Sequence, residues 1–144
     1  MADNEEVLDS PTGWVADHIK QYVETGGEDG HVRNGATALL LTTRGRRSGK
    51  LRRTALFYGQ DGDRYLVVAS KGGAPEHPLW YDNLVAEPQV GIQVMADVFD
   101  AKARTATPEE KAQLWPIVTK IWPAYDDYQK KTDRDIPLVI IERA

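Results

Sequence analysis

The 144-residue chain contains no cysteine and only three histidines, which stand apart at positions 18, 31 and 77. The lack of cysteine excludes disulfides, thiolate nucleophiles and cysteine-ligated metals, and no histidine spacing supports a metal site. A glycine-flanked serine elbow and a Walker loop are missing too, which leaves little for hydrolysis by a protein nucleophile. These absences favour chemistry carried by a bound cofactor, and we expect no metal.

Long apolar runs are also missing, since runs such as that from Ala38 to Leu41 are far too short to span a membrane. Residues 1–10 are acidic and polar, unlike a signal peptide. Hydrophobic content of 41% and charged content of 28% are ordinary for a globular protein. We expect a cytoplasmic protein with a flexible segment over residues 1–11, one domain over residues 12–144, and at most peripheral contact with the inner face of the membrane.

The apolar patterns predict six strands and four helices. An apolar stripe follows a Thr12 cap, Pro78 suits the first turn of a short helix, Thr107 caps a helix that runs to about Ile121, and Pro123 allows a short fourth helix. The strands are predicted at residues 36–43, 51–58, 65–70, 90–95, 98–105 and 136–141. Because the strands do not alternate with helices, the predicted fold class is α+β, a small mixed barrel of about six strands with flanking helices.

A cluster of positive charge stands out between residues 44 and 53, although the chain as a whole carries a net charge of −4. Its members are Arg44, Arg46, Arg47, Lys50, Arg52 and Arg53. Such a cluster on an acidic chain indicates one local anion, which guanidinium forks bind well, and Gly45 and Gly49 let the backbone turn tightly. The alternative is a solvated hairpin tip whose cations serve only solubility.

A second candidate anion site follows the third predicted strand, where Ser70-Lys-Gly-Gly73 supplies a point charge and backbone N–H groups. An ordinary loop explains this segment equally well. Trp80 and Tyr81 can wall a planar ring or pack in the core, and Tyr125 and Tyr128 share one helix face, where a hydroxyl can donate a proton. Together these features predict an aromatic pocket beside an anion clamp, which suits a redox cofactor with a phosphorylated tail.

The chain resembles the deazaflavin-dependent nitroreductase and quinone reductase family of actinobacteria in three separated segments, GRRSGKLRRTALFY, VVASKGGAPEHPLWYDNL and WPAYDDYQKKTDRDIPLVI. The resemblance covers about residues 36–142. It implies a split β-barrel related to the flavin-binding barrels. It also implies the cofactor, coenzyme F420, which is an 8-hydroxy-5-deazaflavin with a phosphate and an oligoglutamate tail.

The resemblance assigns expected contacts to individual residues. Those expected at the phosphate or tail are Arg46, Arg47 and Ser48, with added charge from Arg52 and Arg53. Those expected along the ring and the rest of the cofactor are Thr54, Ala55, Leu56, Phe57, Val68, Ala69, Ser70, Lys71, Leu79, Trp80, Tyr81, Asp82, Asn83 and Tyr125.

The resemblance also implies the catalytic candidates, Tyr125, Tyr128 and Ser70. One tyrosine is expected to orient the acceptor or donate the proton, and Ser70 to form a hydrogen bond near the reacting centre. Phe57 and Trp122 are expected to join the tyrosines in the substrate pocket. Each of these two stands where relatives can carry Tyr, so the pocket is expected to lack two hydroxyls.

The implied reaction is hydride transfer from the reduced deazaflavin to an electrophilic small molecule: a quinone, an activated alkene such as an enone or a coumarin-type lactone, or a nitroaromatic. Two alternatives remain open, a deazaflavin carrier without catalysis and an FMN- or haem-binding protein on the same barrel. The overall acidity counts against binding of nucleic acid or anionic lipid. No obligate protein partner is indicated.

Overall fold

The computed structural model describes residues 6–11, 13–33 and 35–144. The strands are β1 Val7–Asp9, β2 Val32–Arg33, β3 Ala36–Arg44, β4 Leu51–Phe57, β5 Gly59–Asp61, β6 Arg64–Val68, β7 Gln89–Val94, β8 Asp97–Thr105 and β9 Leu138–Arg143. The helices are α1 Gly13–Glu24, α2 Leu79–Ala86, α3 Pro108–Ile121 and α4 Ala124–Lys131, and one 3₁₀ turn covers Lys71–Gly73.

The described strands form one mixed sheet in the order β1-β4-β3-β7-β8-β9-β6-β5, with β2 paired to β3. β1 runs parallel to β4, whereas the other described pairs are antiparallel. Tyr58 alone connects β4 to β5, although these strands belong to opposite ends of the sheet. The sheet therefore curls into a barrel that its described hydrogen bonds do not close.

Alternation along β3 places apolar side chains on both faces of the sheet. Leu39 and Leu41 belong to the main core, whereas Leu40 packs on the other face against Ile19 and Tyr22 of α1. A third apolar cluster joins α3 and α4 to β6 and β9. Helices therefore cover the outside of the sheet, and the exposed β3–β4 turn remains uncovered.

The six predicted strands all form, with ends that differ from the predicted ends by at most two residues. The last strand begins at Leu138 because the preceding Pro137 has no N–H to donate to a ladder. The short strands β1, β2 and β5 are additional. β1 lies within the segment expected to be flexible, and its three residues are too few to show a periodic pattern. It forms because the free edge of β4 accepts it.

The predicted helices form as well. The N-terminus of α3 has the full capping box, since the Glu110 N–H donates to Thr107 Oγ1 at 3.2 Å and the Thr107 N–H donates to Glu110 Oε1 at 2.9 Å. The predicted Thr12 cap of α1 lies outside the described residues. None of the described helices combines the length and the apolar character needed to cross a membrane.

Candidate active site

The basic turn between β3 and β4 is held by short hydrogen bonds. The Gly45 N–H donates to the Lys50 carbonyl, and the Gly49 N–H donates to the Gly45 carbonyl, each at 2.8 Å. Gly49 has a φ of +70°, a left-handed conformation that glycine adopts without strain. The Arg44 guanidinium donates back to the Gly49 carbonyl at 2.6 Å. The turn therefore has a defined shape and presents the side chains between its two glycines to solvent.

Asn83 fastens this turn to α2. Its buried side chain accepts from the Arg46 N–H through Oδ1 at 3.2 Å and donates through Nδ2 to Thr43 Oγ1 at 3.3 Å. The neighbouring Asp82 carboxylate lies 3.8 Å from the Arg46 guanidinium. Asn83, a predicted cofactor contact, thus also sets the position of the turn relative to the helix.

A cleft of about 830 Å³ opens between the basic turn, α2, the 3₁₀ turn and β1. This volume is typical of sites for small ligands and cofactors. The predicted cofactor contacts that line it are Arg46, Arg47, Ser48, Arg52, Arg53, Thr54, Lys71, Leu79, Trp80 and Asn83. The two candidate anion-binding segments, which are distant in sequence, therefore meet at one cleft.

Besides Arg46, which faces Asp82, two further cations of the cleft have a carboxylate partner. Arg53 donates from Nε and Nη2 to the two carboxylate oxygens of Asp9, at 2.6 and 3.1 Å. The Lys71 ammonium lies 2.8 Å from Glu76 Oε1, and its hydrogen bond lowers the pKa of Glu76. Internal carboxylates therefore occupy positions that a bound anion can also take.

Arg47 and Arg52 differ from these cations, because neither forms an ion pair with any residue that the structure describes. Both side chains line the cleft, and both residues are exposed. Uncompensated positive charge in a concave site attracts anions more strongly than the same charge on a convex surface. An incoming anionic group therefore meets its strongest attraction at this pair.

The loop after β6 has left-handed backbone at three successive residues, with φ of 45° at Lys71, 64° at Gly72 and 84° at Gly73. This conformation costs a side-chain-bearing residue roughly 1–2 kcal/mol, so Lys71 is strained whereas the two glycines are not. The Gly73 N–H closes the turn onto the Ser70 carbonyl at 2.9 Å. The loop thus keeps Ser70 buried and leaves Lys71 exposed at the cleft.

The aromatic residues of the predicted substrate pocket form a cluster beside this loop. The ring centroids of Phe57 and Trp122 are 4.8 Å apart, and those of Tyr125 and Tyr128 are 6.1 Å apart in an edge-on arrangement. Trp122 Nε1 donates to the Tyr128 hydroxyl at 3.4 Å. A Cβ added to Gly73 would lie only 2.8 Å from the Tyr128 carbonyl oxygen, so α4 and the loop are in direct contact.

The two tyrosines of α4 differ in access to solvent. Tyr125 is 7% exposed and belongs to the cluster between the helices and the sheet, and burial raises its pKa. The space beside its ring admits no water molecule. Tyr128 is only partly buried, and the Lys131 ammonium lies 5.7 Å from its ring centroid. Tyr128 is therefore the more exposed residue of the two, and the Tyr125 hydroxyl stays protonated at neutral pH.

The other predicted cofactor contacts do not line the cleft; they are Ala55, Leu56, Phe57, Val68, Ala69, Ser70, Tyr81, Asp82 and Tyr125. Ala55 packs against the α1 cluster and Leu56 against the main core, because successive residues of β4 point to opposite faces. The Tyr81 hydroxyl bonds Thr105 Oγ1 at 2.7 Å. The structure therefore brings the predicted cations together at the cleft and places the aromatic cluster next to it.

Two contributions to this region are not predicted from the sequence. Residues Leu8–Pro11 line one side of the cleft, although their acidic, polar surroundings suggest a free segment. Arg134 donates hydrogen bonds to carbonyls of the loop after β6. Its only sequence signal is a position in a polar stretch between a helix and a buried strand, which does not distinguish it from a solvated cation.

Comparison with known proteins gives a family-level match over nearly the whole chain. The model of the F420H(2)-dependent quinone reductase family matches residues 14–143. An F420H(2)-dependent quinone reductase of Mycobacterium tuberculosis is 43% identical over 130 residues, which cover 88% of this chain and 87% of that protein. The matched residues include the basic turn, the loop after β6 and α4.

Solved structures agree with the fold. A structure described as an F420-H2 dependent reductase (FDR-A) is 42% identical, covers 73% of this chain and 93% of its own, and has a TM-score of 0.68. A structure described as a domain-swapped dimer is 41% identical, covers 92% of this chain and 100% of its own, and has a TM-score of 0.71. The haem storage protein HutZ of Vibrio cholerae, 18% identical with a TM-score of 0.60 over 90% of each chain, shares the fold alone. The predicted split-barrel fold class is therefore confirmed.

Proposed function

The chain belongs to the F420H(2)-dependent quinone reductase family, so it is an oxidoreductase whose cofactor is coenzyme F420, and we propose that the cleft at the basic turn is where this cofactor binds. The observation that carries the proposal is the convergence of Arg46, Arg47, Arg52 and Lys71 on one cleft of about 830 Å³. The proposed hydride acceptor is a quinone.

The donor set of the cleft suits the anionic part of the cofactor. Phosphate and carboxylate groups are best held by guanidinium forks and by N–H donors, and the basic turn supplies both. Arg46, Arg47, Ser48 and Arg52 would hold the phosphate and the oligoglutamate tail. Trp80 adds an aromatic face to the same cleft, which suits a flat ring.

When bound, the reduced deazaflavin supplies the hydride, and the protein supplies binding, orientation and exclusion of water. Holding two reactants at reacting distance can lower the activation free energy of the reaction by roughly 7–11 kcal/mol. Phe57, Trp122 and Tyr128 would orient a flat acceptor beside the loop after β6. Tyr128, the more exposed residue of the two, would be the proton donor, and the more deeply buried Tyr125 would pack edge-on against its ring.

We propose that the aromatic cluster sets the range of acceptors. Phe57 and Trp122, which stand where relatives can carry Tyr, pack with ring centroids 4.8 Å apart at a tilt of 36° and offer an apolar face. Such a face suits quinones best. Further acceptors in this proposal are nitroaromatics and activated alkenes such as enones and coumarin-type lactones. A panel of these acceptors, compared by kcat/KM, measures the order.

Location and assembly are also proposed. We propose a cytoplasmic protein whose membrane contact, where it occurs, is peripheral, because a chain with a net charge of −4 is weakly attracted to anionic lipid. We propose that no other protein is required for activity. The similar structure described as a domain-swapped dimer makes self-association the competing outcome. Light scattering after size-exclusion chromatography distinguishes a 16.1 kDa monomer from a dimer.

The proposed function is tested in two steps. Titration with oxidised coenzyme F420, followed by quenching of tryptophan fluorescence, should give saturable binding. Stopped-flow mixing of the reduced cofactor, the protein and a naphthoquinone should then oxidise the cofactor faster than the same mixture without protein. Binding without faster oxidation would support a carrier instead, and preferential binding of FMN or haem would contradict the cofactor assignment at this cleft.

A further inference from the structure

Arg134 holds the loop after β6 from the side opposite its cleft-facing groups. It is partly buried in the segment between α4 and β9. Its Nε donates to the Ala74 carbonyl at 2.8 Å, its Nη2 to the Ser70 carbonyl at 2.7 Å and its Nη1 to the Ala69 carbonyl at 3.2 Å. Nη1 also lies 3.0 Å from His77 Nδ1. One cation therefore binds carbonyls both before and after the 3₁₀ turn.

The backbone between these carbonyls has a form that binds anions. Ser70 is right-handed, with φ of −81° and ψ of −39°, and Lys71 is left-handed, with φ of 45°. Successive residues in this order direct their N–H groups toward one point and make a concavity for an anion or an electron-rich oxygen. The N–H groups of Ser70 and Lys71 form no hydrogen bond with another backbone group of the described residues. Lys71 lines the cleft and the buried Ser70 directly precedes it in the chain, so this concavity borders the cleft.

Arg134 sets the direction of both N–H groups. In a trans peptide the N–H points away from the C=O of the same peptide unit. The Ala69 carbonyl shares its peptide with the Ser70 N–H, and the Ser70 carbonyl shares its peptide with the Lys71 N–H. Because the guanidinium binds both carbonyls, both N–H groups are turned away from Arg134.

The loop needs this support, and an arginine is suited to give it. Lys71 holds a left-handed conformation that a side-chain-bearing residue adopts only when its surroundings impose it. A guanidinium offers five donors in a rigid fork and can reach three carbonyls at once, whereas a lysine ammonium is a point charge on a flexible stem. Within the part of the chain that the structure describes, no acidic side chain forms an ion pair with Arg134. Its charge is therefore directed at the carbonyls.

We propose that Arg134 is a positioning residue for cofactor binding, which acts by turning the Ser70 and Lys71 N–H groups toward the cleft. It does so through the loop, since its guanidinium donates to three loop carbonyls. The identity of the ligand in this inference rests on the proposed function. The hold of Arg134 on the loop does not.

The test compares Arg134→Lys with Arg104→Lys, a conservative change at an exposed arginine of β8 that pairs with Glu110. Amide hydrogen exchange is measured without cofactor at Gly73 and Ala74, whose N–H groups close the loop onto the Ser70 and Lys71 carbonyls. Exchange there should rise about tenfold in Arg134→Lys while amides of β3 stay unchanged, because charged hydrogen bonds that hold the loop are lost. Arg104→Lys should leave both regions unchanged.

Affinity for oxidised coenzyme F420 is measured on the same proteins. The dissociation constant should rise about tenfold in Arg134→Lys, with KM for the reduced cofactor rising and kcat at saturation changing less. Unchanged exchange at Gly73 and Ala74 would overturn the inference, as would faster exchange with unchanged affinity. If the unaltered protein itself fails to bind the cofactor, the proposed function fails while the exchange result still decides the role of Arg134.

A second variant covers the case in which Arg134→Lys does not fold. His77→Ala removes one contact of the guanidinium and leaves its three carbonyl contacts in place. Exchange at Gly73 and affinity should then change in the same directions by a smaller factor. Identical exchange and affinity in His77→Ala and the unaltered protein, together with loss of fold in Arg134→Lys, would assign Arg134 a structural role only.

Discussion

The Asp9 carboxylate and the Arg53 guanidinium meet in a two-point contact, with Nε to Oδ1 at 2.6 Å and Nη2 to Oδ2 at 3.1 Å. Asp9 ends β1 and Arg53 belongs to β4, so the contact fastens the N-terminal strand to the sheet edge that lines the cleft. A carboxylate in this position resembles the carboxylates of an oligoglutamate tail. In the proposed cofactor site it would compete with them for the same guanidinium.

Asp9→Asn should strengthen cofactor binding. The amide keeps the size of the side chain but removes the negative charge, so Arg53 becomes available to the tail. Affinity for coenzyme F420 at low salt should rise about two- to fivefold, as expected for one partly exposed charge interaction. Asp97→Asn, which alters an exposed pair with Arg143 elsewhere on the sheet, is the matched control and should change nothing. Weaker binding in Asp9→Asn would mean that the strand matters more than its charge.

Arg47→Gln should weaken cofactor binding and make it less sensitive to salt. Arg47 lines the cleft and has no ion-pair partner among the described residues, so its charge is available to an anion. Loss of one charged hydrogen bond should raise the dissociation constant about tenfold or more. Titrations at several salt concentrations measure both effects, and Arg104→Gln is the control. An unchanged dissociation constant would show that the basic turn is only a solvated hairpin tip.

Tyr128→Phe should lower kcat more than it raises KM for the acceptor. Tyr128 is partly exposed beside the loop, whereas the Tyr125 residue is largely buried. Removing a general acid typically costs about 10²-fold or more in rate. Steady-state kinetics of both phenylalanine variants with a naphthoquinone acceptor separate the two roles. A larger loss of kcat in Tyr125→Phe would reverse the assignment.

Gly73→Ala should destabilise the protein more than Gly72→Ala. Both glycines have positive φ, at 84° and 64°, so both substitutions carry backbone strain. Only at Gly73 would the added Cβ meet another element, 2.8 Å from the Tyr128 carbonyl oxygen, whereas nothing lies within 4 Å at Gly72. The free energy of unfolding should fall by about 1 kcal/mol in Gly72→Ala and by about 3 kcal/mol in Gly73→Ala. Urea denaturation measures both, and equal losses would show that α4 yields to the methyl group.

Stability should decrease in strong alkali because of Tyr58. Burial, with smaller effects from the neighbouring phenols of Tyr22 and Tyr65, raises the pKa of Tyr58 to about 12. The folded state then retains the phenolic proton where the unfolded state, with a pKa near 10, has lost it. The contribution is complete below about pH 10 and is lost as the pH rises toward 12, by roughly 2–3 kcal/mol.

Urea denaturation of Tyr58→Phe between pH 9 and pH 12 checks this expectation, since the range follows from the two pKa values. The variant should show a shallower loss of stability than the unaltered protein. It also loses the 2.8 Å hydrogen bond between His31 Nε2 and the Tyr58 hydroxyl, so the slope with pH is compared and not the absolute stability. Parallel slopes would show that Tyr58 ionises normally in the folded protein.

The long strands and helices are predictable because their signals are local. β3 is a run of apolar residues long enough to show burial, and the capping box at Thr107 and Glu110 lies within one helical turn. β1 and β5 have three residues each, which is too few for a periodic pattern, so the sequence does not predict them. They form by pairing with the edges of β4 and β6. Their formation is a property of the assembled sheet.

The same distinction applies to the candidate site. The basic turn is visible in the sequence because its cations are neighbours, and its glycines mark the bends. The contribution of Arg134 is not visible, because its carbonyl partners lie about sixty residues earlier in the chain. Asp9 is hidden for a similar reason, since its partner Arg53 lies on a distant strand. Contacts that join remote segments are therefore the part of the site that sequence patterns leave out.

The strand β1 also affects how the domain boundary is chosen for expression. The family match begins at residue 14, after β1 has ended. A shortened chain that started there would leave the β4 edge at Leu51–Arg53 unpaired, and an unpaired edge invites strand addition between copies. It would also open one side of the cleft. Binding constants are therefore comparable between relatives only when each chain carries this strand.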